Sequence, residues 1–286
     1  MTEALNVKIK DYIKNMPSLP TSVVKVMEVC NNPRTSPADL NYVISLDPVL
    51  VGRMLKLINS AYYGLDHQVT NLVRAIIMTG INTVKNLALS TAIMSSIAVN
   101  KIPQGINMEG FWRHSLCVGV AAKMIAKCRG VDVKLLEEYF TAGLLHDIGK
   151  IPLNTILSQE YLFTVSVAEG DRTPLYRVED KRLGLDHCVM GASIVNAWKL
   201  DGPVADAIIC HHQIPEYKDA YKDVLYSVAA ANYFASTREY GSAGDRYPEK
   251  IFSGVWEYLQ IKPSIFDEID ATVNGEIEKA EVFLKL

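Results

Sequence analysis

Apolar residues recur at helical spacing along almost the whole chain, and no stretch alternates apolar and polar positions as a half-buried strand does. Pro20-Thr21 opens one run, in which Val23, Val24 and Met27 precede Asn31. Ser36-Pro37 opens the next, where Ser36 can cap and Pro37 fits a first turn, and this predicts a helix to about Leu46. Asp47-Pro48 repeats the device ahead of Leu50, Val51, Met54, Leu55 and Ile58, and Gly64 then breaks the chain. Further helices are predicted at about 70–79, 81–98, 110–129, 133–147, 158–169, 187–199, 203–212, 221–238, 248–259 and 263–284. Gly80, the Ile102-Pro103-Gln104-Gly105 turn and Gly130 punctuate the series. Connections this short imply an all-α fold, a helical bundle in which an N-terminal helical lobe (1–103) packs on a second helical lobe (104–286).

The segment between Lys85 and Lys101 carries no charge, yet Ser90, Thr91, Ser95 and Ser96 interrupt its apolar residues. A spanning helix needs about 18–20 mostly apolar residues, so this reads as a buried helix, packed on first-lobe helices and on the region near Phe111. Met1 to Lys14 is polar and amphipathic and offers no apolar signal region, which predicts a cytoplasmic protein.

Composition changes the picture little. Of 286 residues 49% are hydrophobic and 21% charged, as in a globular protein of about two structural units. Net charge is −3, with 9 Lys+Arg against 6 Asp+Glu in residues 1–100 and 20 against 26 thereafter. Neither half makes an electrostatic case for nucleic acid or an anionic membrane. Five scattered cysteines without a Cys-x-x-Cys pair argue against a disulfide framework. They read as small buried hydrophobes, except that Cys188 and Cys210 adjoin histidines and leave a redox or ligand role open there.

The chemistry lies in the histidines. Five of six, His114, His146, His187, His211 and His212, fall in the second lobe, and Asp147 follows His146 directly. Imidazole and carboxylate are the usual ligands of first-row metals, and one carboxylate can bridge two ions. Adjacent helical residues point about 100° apart, so the pairs His146-Asp147 and His211-His212 converge on one centre most easily at helix ends. Gly149 and Pro215 are compatible with such ends. His67, in the polar Asp66-His67-Gln68 turn, reads as a solvated loop histidine. No Walker loop or Gly-rich dinucleotide fingerprint occurs.

The order His114, His146-Asp147 within Leu144-Leu145-His146-Asp147-Ile148-Gly149-Lys150, His187 with Gly191, then His211-His212 resembles the HD superfamily of metal-dependent phosphohydrolases, and within it the HD-GYP branch. Leu19-Pro20, Asp47-Pro48-Val49-Leu50, the run Leu57 to Gly64, Ala75-Ile76 and Gly80-Ile81 resemble the HDOD family, over residues 13 to 213. That resemblance implies a helical module of bacterial signalling proteins, acting through a protein partner in a signalling pathway and usually without enzymatic activity. It also implies a ligand set. His114, His146 and Asp147 would address one metal, and Asp147 would bridge to a second held by His187, His211 and His212.

The last acidic ligand of the HD pattern falls on Asn232, a weaker neutral donor, so one strong site and one weaker one are expected. The metal would be a divalent transition ion, iron or manganese first, with zinc or nickel as alternatives. The chain also lacks the acidic residue and Gly-Tyr-Pro segment that follow the paired histidines in HD-GYP proteins, reading His211-His212-Gln213-Ile214-Pro215 instead. The leading expectation is thus a non-catalytic, metal-binding signalling module. The alternative is a phosphohydrolase in which Asp147 and Lys150 are catalytic, with Lys150 meeting the phosphate of a phosphate-containing ligand, unless Lys150 is a solvated helix-end charge.

Overall fold

A computed structural model describes residues 3–96 and 105–285, so the expected lobe boundary and the end of the 81–98 helix lie outside the described residues. No strand occurs among the described residues. The first part consists of α1 (Glu3–Asn15), α2 (Thr21–Cys30), α3 (Pro37–Ser45), α4 (Pro48–Ile58), α5 (Leu72–Thr79) and α6 (Ile81–Ser96). There follow α7 (Met108–Cys128), α8 (Leu136–Leu145), α9 (Lys150–Ile156), α10 (Ser158–Gly170), α11 (Leu175–Leu183), α12 (His187–Trp198) and α13 (Gly202–Cys210). The chain closes with α14 (Lys222–Thr237), α15 (Ser253–Leu259), α16 (Ile265–Asp270) and α17 (Val273–Ala280).

The Pro-initiated helices start where the pattern places them. Ser36 and Asp39 form a reciprocal capping box ahead of α3, with each side chain bonded to the other's backbone amide. Asp47 caps α4 by accepting from the amides of Val49 at 3.1 Å and Leu50 at 3.0 Å. Its other oxygen accepts from the Ser22 hydroxyl at 2.7 Å, which ties the start of α2 to the start of α4. Hydrogen bonds from the Leu50 amide and Ser22 hold this carboxyl below its ordinary pKa.

Helix α6 is buried on nearly every side, from Thr83 to Ile93 with Lys85 as the only break. It packs on α2, α4 and α5 and, on its other flank, on α8 and the 3-10 turn Val133–Leu135. One hydrophobic core accordingly runs from Leu40 and Met54 through Leu87 to Phe140 and Phe234. Helix α8 lies in the centre of the second part, against α7, α13 and α14. The α7/α8 contact is closer than side chains permit: a Cβ on Gly143 would stand 2.8 Å from the Cα of Gly119.

Four helices depart from the pattern-based expectation. Helices α9 and α11 were not foreseen, because Pro152 reads as a breaker and α11, Leu-Tyr-Arg-Val-Glu-Asp-Lys-Arg-Leu, reads as a polar connection. Pro152 falls in the first turn of α9, where no intrahelical N–H is required. The 263–284 helix is bent into α16, α17 and a 3-10 turn. Its apolar stripe is continuous, but Thr272 leaves the helical region at φ −128°. The helix expected at 248–259 begins only at Ser253. No single described helix is long and apolar enough to cross a membrane.

Replacing Asp47 with Ala removes the α4 cap and the tie to Ser22, and an expected loss of about 1–2 kcal/mol should lower the urea midpoint. Since folding depresses this carboxyl's pKa, its contribution is present above the pKa of the unfolded chain and fades as pH falls through the folded value. The gap between wild type and Asp47→Ala in denaturant titrations should therefore narrow in acid.

Candidate metal centre

The centre is built where α8 ends. His146 and Asp147 follow its last residue and leave the helix in a tight turn, which lets two adjacent side chains reach the same interior point. His211 and His212 follow α13 in the same way, and His187 is the first residue of α12, below an Asp186 cap that accepts from the Val189 amide. Gly149 permits the assembly. A Cβ there would lie 1.9 Å from the carbonyl oxygen of His187 and 2.7 Å from the amide of Gly191, so the first turn of α12 rests directly on the backbone after Asp147.

Asp147 is fully buried and is the point on which the histidines converge. Its Oδ1 lies 3.2 Å from His187 Nε2 and 3.5 Å from His211 Nε2, and those two nitrogens are 3.2 Å apart. Its Oδ2 lies 3.3 Å from His146 Nε2 and 4.0 Å from His114 Nε2. All seven residues expected from the sequence meet here, although not alike. His114 Nε2 is 3.0 Å from Asn232 Oδ1, and His212 stacks on Tyr176 with 4.3 Å between ring centroids. His67 stays exposed in its turn.

The ring nitrogens facing away from Asp147 fix the tautomers. His187 Nδ1 lies 2.6 Å from a Glu179 oxygen, His146 Nδ1 2.7 Å from the Gly143 carbonyl and His211 Nδ1 2.8 Å from the Ala207 carbonyl. Each of these partners only accepts, so each Nδ1 carries a proton and Nε2 is the ring nitrogen turned inward. The interior therefore gathers ring nitrogens and carboxylate oxygens around one point. His146 Nε2, His212 Nε2 and Asp147 Oδ1 are buried with no hydrogen-bond partner. Lone pairs 3.2 Å apart repel unless a cation or proton lies between them.

Lys150 supplies one cation. Its ammonium is buried and donates to Asp147 Oδ2 at 2.8 Å, so the solvated helix-end reading does not hold. Burial works against both charges, yet the pairing prevails: Asp147, with His146 and Lys150 beside it, is held well below the carboxylate range, and Lys150 is raised above its ordinary value. Burial similarly lowers His187, but the Glu179 carboxylate outweighs it and raises this imidazole well above its ordinary value. His114, which burial dominates, is lowered to about 3.

On the Oδ1 side, donors spaced 3.2–3.5 Å apart suit one ion, since bonds of about 2.0–2.2 Å place neighbouring ligands about 3.0–3.5 Å from each other. The Oδ2 side is wider, and Lys150 already engages the shared oxygen. His114, His146 and Asp147 nonetheless form a second group able to hold an ion. A cavity of about 360 Å³, lined by His114, Ser236, Glu239, Asp245 and Arg246 among others, reaches the centre from this side.

Two acidic residues of the centre were missed from the sequence. Glu179 on α11 is fully buried, accepts from the His187 amide at 2.9 Å and from the Tyr161 hydroxyl at 2.5 Å, and orients the His187 ring. Asp245 is buried in the 360 Å³ cavity's wall and accepts from the Leu175 amide at 3.2 Å. Both sit in segments that read as polar connections, and no spacing rule links them to the histidines.

An all-helical core thus surrounds one buried aspartate with imidazoles, and the adjacent pairs His146-Asp147 and His211-His212 each sit at a helix end. The chain belongs to the HDOD family, whose domain model matches residues 16–214. A Treponema pallidum (strain Nichols) protein, described only as uncharacterized, is 26% identical over 81% of this chain, and the match covers 44% of that protein, so the chain spans less than half of its relative's length. Among solved structures, an HDOD domain protein of unknown function from Geobacter sulfurreducens is similar with a TM-score of 0.72 at 23% identity, covering 98% of this chain and 97% of the other. A "Putative phosphohydrolase" from Shewanella amazonensis SB2B gives a TM-score of 0.70 at 22% identity, over 96% and 98%. A "Putative signal transduction protein" from Marinobacter aquaeolei VT8 gives 0.74 at 19% identity, over 98% and 66%. At these identities the structures bear out the fold.

If Glu179 fixes the His187 ring, Glu179→Gln should weaken metal affinity by about 10–100-fold, as loss of an outer hydrogen-bond partner does, while His187→Ala should cost more. Competition against a chromogenic chelator measures both. Equal affinity in wild type and Glu179→Gln would remove Glu179 from the centre.

Proposed function

We propose that this chain is a metal-binding regulatory module of the HDOD family, whose second lobe holds one divalent transition ion and whose output is a contact with another protein. The observation that carries the metal reading is the set of inward Nε2 atoms at 3.2–3.5 Å around an Asp147 oxygen that has no hydrogen-bond partner, a spacing that suits the ligands of one ion. His187, His211 and Asp147 would hold the ion, with His212 beside them. Asn232, bonded to His114 and carrying no charge, leaves the second position weaker.

A regulatory role is favoured over hydrolysis by the state of Lys150. Its ammonium is spent on Asp147 inside the core instead of facing the cavity as a free phosphate contact. A protein output is supported by large apolar side chains left exposed on α3, α4 and α5 and the residues between them: Tyr42, Leu46, Val49, Ile77 and Met78 are each about half or more exposed. The second reading, a phosphohydrolase, draws support from the cavity that reaches His114. In that case the metal would act as Lewis acid and supply an activated water, and Lys150 would have to leave Asp147 for the phosphate.

Metal content of protein purified without chelator should be close to one ion per chain, should fall in His211→Ala, and should rise in Asn232→Asp, which restores a carboxylate beside His114. Metal-replete wild type should not turn over phosphodiesters or nucleotides. Robust turnover would establish the hydrolase instead, two tightly held ions in wild type would refute the asymmetry, and metal-free protein would refute the metal reading.

A further inference from the structure

We propose that Cys188 is a ligand of this centre, so that the ion is held by sulfur as well as by imidazole and carboxylate; this rests on the metal reading above. Cys188 follows His187 in the first turn of α12 and is buried, while the next residue, Val189, is half exposed. The backbone thus turns the thiol, like the preceding imidazole, toward the interior. Its Sγ and one ring nitrogen each of His187 and His211 lie within 4.8 Å of one another.

The sulfur makes only long contacts to ring nitrogens in this position. It lies 3.7 Å from His211 Nδ1, but that nitrogen's proton is committed to the Ala207 carbonyl. It lies 3.9 Å from His211 Nε2, long for a weak S–H donor. The same 3.9 Å suits two donors of one ion, since bonds of about 2.3 Å to sulfur and 2.0–2.1 Å to nitrogen at an open tetrahedral angle separate the two by about 3.5–3.9 Å. Three buried, unpartnered acceptors nearby, Asp147 Oδ1, His146 Nε2 and His212 Nε2, mark the same interior as a place for a cation. On binding, the thiol proton is released to solvent and the thiolate bonds to the metal.

A Cys/His/Asp donor set has a consequence for selectivity. Thiolate is a soft ligand, so the centre takes zinc, cobalt or ferrous iron in preference to manganese or magnesium, which an all-nitrogen and oxygen set discriminates less strongly. This revises the metal order expected from the sequence by placing manganese last.

Cobalt(II) tests the assignment because a thiolate ligand gives it a charge-transfer band in the near ultraviolet that imidazole and carboxylate do not. The full chain loaded with cobalt should show the band, and so should Cys210→Ser, whose thiol lies outside the cluster. Cys188→Ser and Cys188→Ala should lose the band and should shrink the preference for zinc over manganese, measured by chelator competition, by about tenfold or more. Cobalt bound to wild type without the band, or a band that persists in both Cys188 variants, overturns the sulfur ligand and leaves the imidazole and carboxylate centre standing. Failure of wild type to bind cobalt at all overturns both.

Discussion

A carboxylate without access to water governs this structure. Asp147 is buried at the junction of α8, α12 and α13, and removing such a charge from water costs several kcal/mol unless it is closely compensated. Compensation comes from Lys150 on one oxygen, and on the other from His187, whose imidazole the Glu179 carboxylate raises well above its ordinary pKa, with His211 beside it. Each outward nitrogen is bonded to an acceptor that keeps it so, and among these the Glu179 carboxylate is the strongest.

The helices around the centre are arranged to keep that geometry. Gly149 lets α12 settle on the turn after Asp147, Gly191 lets α12 close on Ile208 of α13, and Gly119 and Gly143 let α7 and α8 approach until backbones touch. Such contacts leave no slack, because close-packed interiors transmit displacement instead of absorbing it. Tyr161 extends the same logic outward: its hydroxyl fixes Glu179, Glu179 fixes His187, and His187 faces Asp147.

What could be read from the sequence was whatever local chemistry writes into adjacent residues. Ser36-Pro37 and Asp47-Pro48 announce helix starts because cap and first-turn residue lie side by side, and both were found where expected. His146-Asp147 and His211-His212 announced a centre because neighbouring ligands are rare, and both pairs sit at the helix ends that convergence requires. Glu179 was not legible. It lies in a helix with more charged than apolar residues, and a carboxylate that serves a histidine eight positions away looks like one that serves water. Asp245 meets the centre only through the fold, seventy residues from its hydrogen-bond partner Leu175. The break at Thr272 was invisible for a different reason, since apolar spacing records which face is buried and not whether the axis bends.

Helix α8 joins the centre to the rest of the molecule. Its C-terminal end delivers His146 and Asp147, while along its length it packs on α6, which in turn packs on α2, α4 and α5 beside the exposed apolar residues. A ligand can shift such a structure only by the difference in its affinity for two arrangements. Besides α1, which packs on α9 and α12, the first part meets these helices through the α8/α6 contact. Since α6 is buried on almost every side, that contact can move only as a unit.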